Sequence, residues 1–258
     1  MQFSPALAAF SMSLILAACG GGGGGGSTPS ASSGPKAEGV YEGSSSSGYV
    51  LNILVLENDE VYALYGNTSG GTLYVSGFNW AQGSSSNGSY TSSIAKDYYN
   101  TGAVTSGSVT ASYVANTSFN GTATGNGQSI GFTSAPPTNS NYVYNTPAVL
   151  STITGSWGGS TLFGESGTLT VAANGTLNAS FTGSYAGTCT ATGSATPRAS
   201  GKNVFDISLT FGASPCGLPG ATVSGVAVSY LLANSQRQLV AAVTTSDRAH
   251  GSVFFAAR

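Results

Sequence analysis

Few side chains in this sequence could do chemistry, and their spacing matches no catalytic motif. The one histidine, His250, stands three residues after Asp247, but a hydrolase triad also needs a nucleophile on a sharp turn, and no Gly-x-Ser-x-Gly occurs. Ser93 and Lys96 have the Ser-x-x-Lys spacing in which a lysine activates a serine, but no Lys-Thr-Gly follows and no helix is predicted there. We therefore expect that the protein is not an enzyme and that His250 lies in a surface turn.

The carboxylates and cysteines of the sequence predict no metal site. Glu57, Asp59 and Glu60 place three carboxylates on one predicted hairpin, where their oxygens could bind calcium, but the spacing and the glycine of a calcium loop are missing. We expect a solvated hairpin tip instead. One histidine and no clustered cysteines cannot form a zinc site, and the isolated acids provide no facing pair for glycoside hydrolysis. The sequence predicts no cofactor.

Tyrosines are distributed unevenly, since eleven of the thirteen precede residue 145. A tyrosine ring offers a large apolar area with a polar tip, and tyrosine is enriched at binding surfaces. Tyr98 and Tyr99 fall in a predicted long loop, residues 95–107, and are the candidates for a binding surface. Tyrosine is also favoured in strands, so packing within a sheet is the alternative for the whole set.

The composition is that of an exported, β-rich protein. Only 6% of the residues are charged, 40% are hydrophobic, and 38 of 258 are glycine. Chains that are disordered because of charge combine low hydrophobicity with high net charge, whereas the net charge here is -2. The seven Lys and Arg residues are scattered and form no basic patch, so nucleic acid is not an expected partner.

Short β-prone runs separated by Gly, Asn and Ser continue from Gly39 to the end of the chain, and no ten-residue stretch has helical periodicity. The pattern predicts an all-β protein. Two antiparallel hairpins are indicated, one at Asn58-Asp59-Glu60 and one at Asn174-Gly175. The predicted strands are 39–43, 49–57, 60–66, 72–80, 89–94, 108–115, 118–124, 128–133, 152–158, 167–173, 176–183, 187–195, 203–211, 222–231, 238–244 and 252–257.

These runs predict two consecutive units of eight, because successive prolines at Pro136 and Pro137 disfavour strand pairing between them. The units open alike, with Gly39-Val-Tyr-Glu-Gly43 and Gly155-Ser-Trp-Gly158, as a duplication would produce. Eight antiparallel strands can close into a small barrel, which removes exposed edges. One sandwich of sixteen strands is the alternative. The predicted division is 1–18 signal peptide, 19–37 tether, 38–134 N-terminal β unit, 135–150 linker and 151–258 C-terminal barrel-like unit.

The three cysteines separate into one anchor and one pair. Leu16-Ala-Ala-Cys19 follows a short apolar run and resembles a bacterial lipobox, in which the cysteine receives acyl chains, palmitate among them, and becomes the mature N-terminus. Cys189 and Cys216 remain, and in an oxidising compartment we predict that they form a disulfide. It would close a loop of about 27 residues and stabilise the fold by roughly 3 kcal/mol. Two reduced, buried cysteines are the alternative.

With the lipobox, the glycine tract Gly20–Gly26 and two β units, the chain resembles uncharacterised two-unit surface lipoproteins of Gram-negative bacteria. More distantly it is similar in architecture to transferrin-binding protein B and factor H-binding lipoproteins. The resemblance implies a lipid anchor in the outer membrane, with the periplasmic and the surface face both open. Gly155-Ser-Trp157 with a late arginine, Arg248 or Arg258, resembles the Gly-x-Trp motif and stacking arginine of lipocalins.

The expected function is therefore a non-enzymatic binding or surface-interaction module that is anchored to a membrane. Its partner could be a protein, a glycan or a small apolar ligand. A structural protein of the envelope and a lipocalin-like carrier of small ligands are the alternatives.

Overall fold

The computed structural model describes residues 34–69, 72–138, 140–183, 187–232 and 234–258. The predicted signal peptide, Cys19 and most of the predicted tether lie outside the described residues. The strands are Gly39–Ser45 (β1), Val50–Val55 (β2), Glu60–Ser69 (β3), Thr72–Ser86 (β4), Ser89–Tyr99 (β5), Val104–Val114 (β6), Ser118–Gly125 (β7), Gln128–Ala135 (β8), Gly155–Thr161 (β9), Ser166–Val171 (β10), Thr176–Thr182 (β11), Cys189–Pro197 (β12), Phe205–Phe211 (β13), Thr222–Leu231 (β14), Arg237–Thr245 (β15) and Gly251–Ala257 (β16). A short 3-10 helix spans Leu150–Thr152. Among the described residues, no helix is long and apolar enough to cross a membrane.

The sixteen strands form two closed antiparallel barrels, the N-terminal barrel β1–β8 and the C-terminal barrel β9–β16. Each strand pairs with its neighbours in the chain, and the first strand of each barrel pairs with the last. The N-terminal barrel closes where Glu42 pairs with Ala135, and the C-terminal barrel closes where Thr161 pairs with Phe254. The prediction of two eight-strand units is confirmed, and the alternative of a single sixteen-strand sandwich is wrong.

Both predicted hairpins are confirmed, and they occupy equivalent places in the two barrels, between the second and third strands. Asp59 and Gly175 both adopt positive φ, at 66° and 84°. Each amide at this position donates to the carbonyl three residues earlier, Asp59 to Leu56 at 2.9 Å and Gly175 to Ala172 at 2.9 Å. Glycine and small polar residues tolerate this left-handed conformation, which lets the chain reverse within a few residues.

The opening residues of each barrel also repeat one arrangement. Tyr41 and Trp157 each stand two residues after a glycine that has positive φ, and both side chains are fully buried. The Tyr41 hydroxyl donates to the carbonyl of Ala37 at 2.9 Å, and the Trp157 indole N–H donates to the carbonyl of Ile153 at 2.6 Å, four residues back in both cases. A large ring with its polar atom satisfied thus fills the same end of each barrel.

The two barrels share a third hydrophobic core, which we call the inter-barrel cluster. It contains outward-facing side chains from both barrels, together with Leu56, Tyr144, Leu162 and Val204 from connecting segments. Its buried members are Leu56, Tyr62, Phe78, Trp80, Tyr98, Tyr144, Leu162, Val204, Val226, Val240, Ala242 and Val253. Because these outward faces are covered, the described part of the chain does not consist of two independent barrels joined by a free linker.

The predicted loop 95–107 is wrong except at residues 100–103, which connect β5 and β6, and the inter-barrel cluster explains the strand in its first part. Strand β5 continues to Tyr99, and Tyr98 pairs with Val104 of β6. The Tyr98 ring stacks on Phe78 with centroids 4.6 Å apart, and its hydroxyl donates to the carbonyl of Arg248 at 3.0 Å. Contacts with the other barrel therefore support a strand where the sequence alone indicates a loop.

The carboxylates of the β2–β3 hairpin do not form a solvated tip, so that prediction is wrong. Glu57 accepts from Arg198 of the C-terminal unit at 2.7 Å, and Asp59 is buried and pairs with Lys36 at 2.5 Å. Burial by itself would raise the pKa of Glu57, but the hydrogen bond from Arg198 and other donors outweighs it, so the pKa lies below its usual value. Both carboxylates are thus occupied by protein partners.

Glu60, the third carboxylate, also faces the other barrel. Its Oε1 accepts from the Trp80 indole N–H at 2.8 Å and lies 3.4 Å from Nη2 of Arg248. The Arg248 guanidinium in turn lies over the Trp80 ring, 3.9 Å from its centroid. Among the described residues, no group of three or more His, Cys, Asp or Glu side chains could hold a metal ion. The hairpin therefore serves the contact between the barrels.

Candidate ligand-binding cavity

Each barrel encloses a cavity, and the two cavities differ in size. The C-terminal cavity measures about 400 Å³ and the N-terminal cavity about 230 Å³. Inside the N-terminal barrel, Tyr41, Tyr65, Tyr90, Tyr113 and Phe119 occupy the core. The core of the C-terminal barrel is instead built mostly from Leu, Val, Ile and Ala. The uneven distribution of tyrosine thus follows the packing, because large rings fill more of the first barrel and leave less space.

The wall of the C-terminal cavity follows from strand alternation, since every second residue of a strand points into the barrel. These inward residues are apolar and include small alanines, which leave the middle of the barrel open. Representative wall residues are Leu169, Val171, Leu177, Leu209, Ala227 and Ala241. At the end where β9 begins, the barrel is filled by Trp157, and the Arg258 guanidinium covers its ring 4.0 Å from the centroid.

The opposite end of the C-terminal cavity forms its mouth. Phe163, Phe181 and Phe254 line this end together with Leu218 of the β13–β14 loop. The predicted disulfide between Cys189 and Cys216 is confirmed and attaches that loop to the start of β12. Cys189 itself lines the cavity. The disulfide therefore holds a part of the mouth in place.

The N-terminal barrel also contributes to this mouth. Gly102, Ala103 and Val104, at the β5–β6 connection, line the C-terminal cavity. Tyr99 lines both cavities, so the two interiors approach each other at this connection. A molecule that enters the C-terminal barrel would pass side chains of both units.

Three polar side chains at inward positions interrupt the apolar wall near the mouth. Glu165 lies one residue before β10 and points inward, as Gly167 and Leu169 do. Thr161 lies on β9 and Ser252 on β16. Glu165 is 7% exposed, and its Oε2 accepts from the Thr161 hydroxyl at 3.0 Å. Its Oε1 and the Ser252 hydroxyl are buried without a hydrogen-bond partner among the described residues. The mouth is thus the polar end of an otherwise apolar cavity.

The N-terminal cavity has a different polar end. Asp97 lies beside Tyr65, whose hydroxyl donates to Asp97 Oδ1 at 2.8 Å, and the ring of Tyr65 packs against Tyr49 and Tyr99 with centroids 5.4 and 6.4 Å away. Burial raises the pKa of Asp97, and hydrogen bonds from Tyr65, Tyr99 and Asn79 oppose the rise only in part. This carboxylate is already satisfied by its own barrel.

The structure places the two tyrosines of the predicted binding surface differently. Tyr98 is buried in the inter-barrel cluster, and its side chain also lines the C-terminal cavity. Tyr99 is half-buried and lines the cavities. Glu165 and Ser252 were not singled out from the sequence, although the period of two through Leu169 and Val171 would have placed Glu165 at an inward position.

The other residues considered for chemistry remain apart. His250 is exposed in the β15–β16 turn at the mouth, as expected, and Asp247 accepts from the Thr245 hydroxyl at 2.6 Å and from the Ala249 amide at 3.0 Å. These two hydrogen bonds hold the pKa of Asp247 below its usual value. Lys96 donates to the hydroxyl of Ser106 at 2.9 Å. No nucleophile and base pair is assembled by these contacts.

No protein-family model matches the chain, and no curated protein matches it. One solved structure, a protein of unknown function from the DUF3598 family of Nostoc punctiforme, is similar over 85% of this chain and 93% of its own length, with 13% identity and a TM-score of 0.26.

Proposed function

We propose that the protein is a binding protein whose C-terminal barrel takes up a small apolar molecule. The observation that carries this proposal is the apolar cavity of about 400 Å³ with a few polar groups at one end. Ligand sites in proteins have volumes of about 300 to 1,000 Å³ and combine apolar walls with a small number of placed polar groups. The C-terminal cavity has both properties.

A purely structural role in the envelope is less well supported, because a structural barrel gains stability when its interior is filled. Protein interiors are close-packed, and an empty apolar volume costs stability through lost contacts. The N-terminal barrel shows that large rings can occupy such an interior, since Tyr90 and Phe119 take up part of it and the remaining cavity is smaller. The open space in the C-terminal barrel therefore favours a carrier.

A titration of the full chain with the probe N-phenyl-naphthylamine tests this proposal, because the fluorescence of the probe increases in apolar surroundings. The substitution Ala241→Phe places a ring inside the C-terminal cavity and should weaken probe binding about tenfold or more. The matched control is Ala63→Phe, which fills the N-terminal cavity instead and should leave the affinity within about twofold. Equal loss in both variants, or none in either, would contradict the proposal.

We also propose that Cys19 is acylated and that Gly20–Gly26 separate the barrels from a membrane. The apolar run that precedes the cysteine and the flexible composition that follows it support this anchor. A stable tether needs more than one acyl chain, and a lipidated N-terminal cysteine carries several.

Metabolic labelling with palmitate tests the anchor. We expect the full chain to incorporate label and to sediment with membranes in a bacterial host, and Cys19→Ser to lose both properties. Cys216→Ser is the control, because it breaks the disulfide but leaves Cys19 in place and should keep the label. Label on Cys19→Ser, or no label on the unmodified chain, would argue against lipidation.

A further inference from the structure

We propose that the ligand of the C-terminal cavity carries a protonated amine, and that Glu165 and Ser252 at the mouth receive it. This inference rests on the proposed function and adds the chemical class of the ligand. It is motivated by two buried polar atoms that face the cavity without partners, Glu165 Oε1 and Ser252 Oγ.

The buried carboxylate of Glu165 is the stronger of the two observations. Only one of its two oxygens has a partner, the Thr161 hydroxyl at 3.0 Å. Nearly all buried polar groups in folded proteins are hydrogen-bonded, and an unpaired carboxylate oxygen in apolar surroundings costs free energy. A ligand that donates a hydrogen bond to Oε1 would remove this free-energy cost on binding. The relief would make the binding free energy of such a ligand more favourable.

Strand register brings Ser252 to the same rim. Thr161 of β9 pairs with Phe254 of β16, and Ser252 points inward two residues before Phe254. Thr161 donates to Glu165, so the three polar side chains belong to one polar patch at the mouth. A head group with several donors and a compact shape could meet both Glu165 Oε1 and Ser252 Oγ, as the three N–H groups of a primary ammonium do.

The charges of the cavity wall favour an amine head group over an anionic or a neutral one. No Lys or Arg lies among the described residues that line the cavity, and the one basic side chain there, His250, is exposed at the turn. An anionic head would meet the Glu165 carboxylate with like charge and no counter-ion. A neutral alcohol could donate one hydrogen bond but would not offset the charge, and hydrogen bonds between charged groups are the stronger ones.

The cavity also orients the ligand. Its polar patch lies at the mouth, and the wall below it, from Leu169 to Leu177, is apolar down to the end that Trp157 closes. The amine would therefore stay at the mouth, while the apolar part of the ligand fills the barrel. We infer a primary amine on an alkyl chain or on an apolar ring system as the class of ligand.

Three ligands of equal chain length separate the head groups: decylamine, decanol and decanoate. Each is titrated near neutral pH against the full chain loaded with N-phenyl-naphthylamine, and displacement of the probe is measured. We expect decylamine to bind about tenfold more tightly than decanol and decanoate to bind most weakly, as a charge-assisted hydrogen bond predicts.

The substitution Glu165→Gln should remove this preference for decylamine and leave decanol within about twofold, since only the charged acceptor is lost. The matched control is Glu42→Gln, an exposed carboxylate on β1 of the other barrel, which should keep the preference. Ser252→Ala provides a second variant and should weaken decylamine more than decanol.

The outcomes for the head group and for the cavity are distinguishable. If decanoate displaces the probe as well as decylamine does, or if Glu165→Gln still prefers decylamine, the proposal of an amine head group is wrong. Displacement of the probe by decanol would still support an apolar site. If the unmodified chain binds neither the probe nor any of the three ligands, both proposals fail. The comparison of the three ligands on the unmodified chain tests the amine head group even if Glu165→Gln does not fold.

Discussion

Replacement of Trp157 by alanine is expected to destabilise the C-terminal barrel by about 3 to 5 kcal/mol, the range for large aromatic side chains lost from a core. Trp157 is fully buried, donates to the Ile153 carbonyl at 2.6 Å and carries the Arg258 guanidinium on its ring. Alanine would leave a cavity, an unpaired carbonyl and an arginine without its stacking partner. Urea unfolding followed by circular dichroism measures the change in free energy.

Trp80→Ala is the matched control, because Trp80 also carries a stacked arginine, Arg248, but lies between the barrels. We expect Trp157→Ala to unfold the C-terminal barrel at lower urea, and Trp80→Ala to weaken the coupling between the barrels. Trp157→Phe keeps most of the apolar volume and loses the indole N–H. About 1 kcal/mol of the destabilisation that it causes should therefore come from the lost hydrogen bond. A cost below about 1 kcal/mol for Trp157→Ala would contradict the assigned role.

Removal of the disulfide is the second large effect. The bond joins residues 27 positions apart, and the chain-entropy model gives a loss of roughly 3 kcal/mol for a closed loop of this length. The double substitution Cys189→Ser and Cys216→Ser should therefore lower the urea midpoint strongly. Reduction of the unmodified chain should have the same effect, whereas Cys19→Ser, which changes a cysteine outside the barrels, should leave the urea midpoint unchanged.

The same bond should also affect ligand exchange at the mouth. Gly217 and Leu218, which follow Cys216, line the C-terminal cavity, so release of the loop loosens one side of the mouth. We expect the probe to dissociate several-fold faster from the reduced protein than from the oxidised protein, measured by stopped-flow displacement. Unchanged dissociation together with a lower urea midpoint would limit the disulfide to a structural role.

The strands and turns were predictable because their signals are local. Alternation through Leu169 and Val171, and turn residues such as Asn58 and Gly175, depend on neighbours within a few positions. All sixteen predicted strands are present, with ends that differ by up to six residues. The pairing of Cys189 with Cys216 was predictable by elimination, once Cys19 is set aside.

The cavity was not predictable, although its wall residues were. Alternation indicates that Ala227 and Ala241 point inward, but the space that they leave depends on how all eight strands close around them. The unpaired oxygen of Glu165 depends in the same way on the distance to Thr161 and on the absence of a second donor among the described neighbours. Volume and polar satisfaction are properties of the assembled barrel.

Local periodicity and a small number of special residues encode the two units of eight strands, their hairpins and the candidate disulfide. The use of the outward faces follows from tertiary contacts alone. Arg198 meets Glu57 across 141 positions of sequence, and Arg248 reaches Glu60 across 188. No local pattern encodes such contacts, so Tyr98 was expected on a surface and lies instead in the core that joins the barrels.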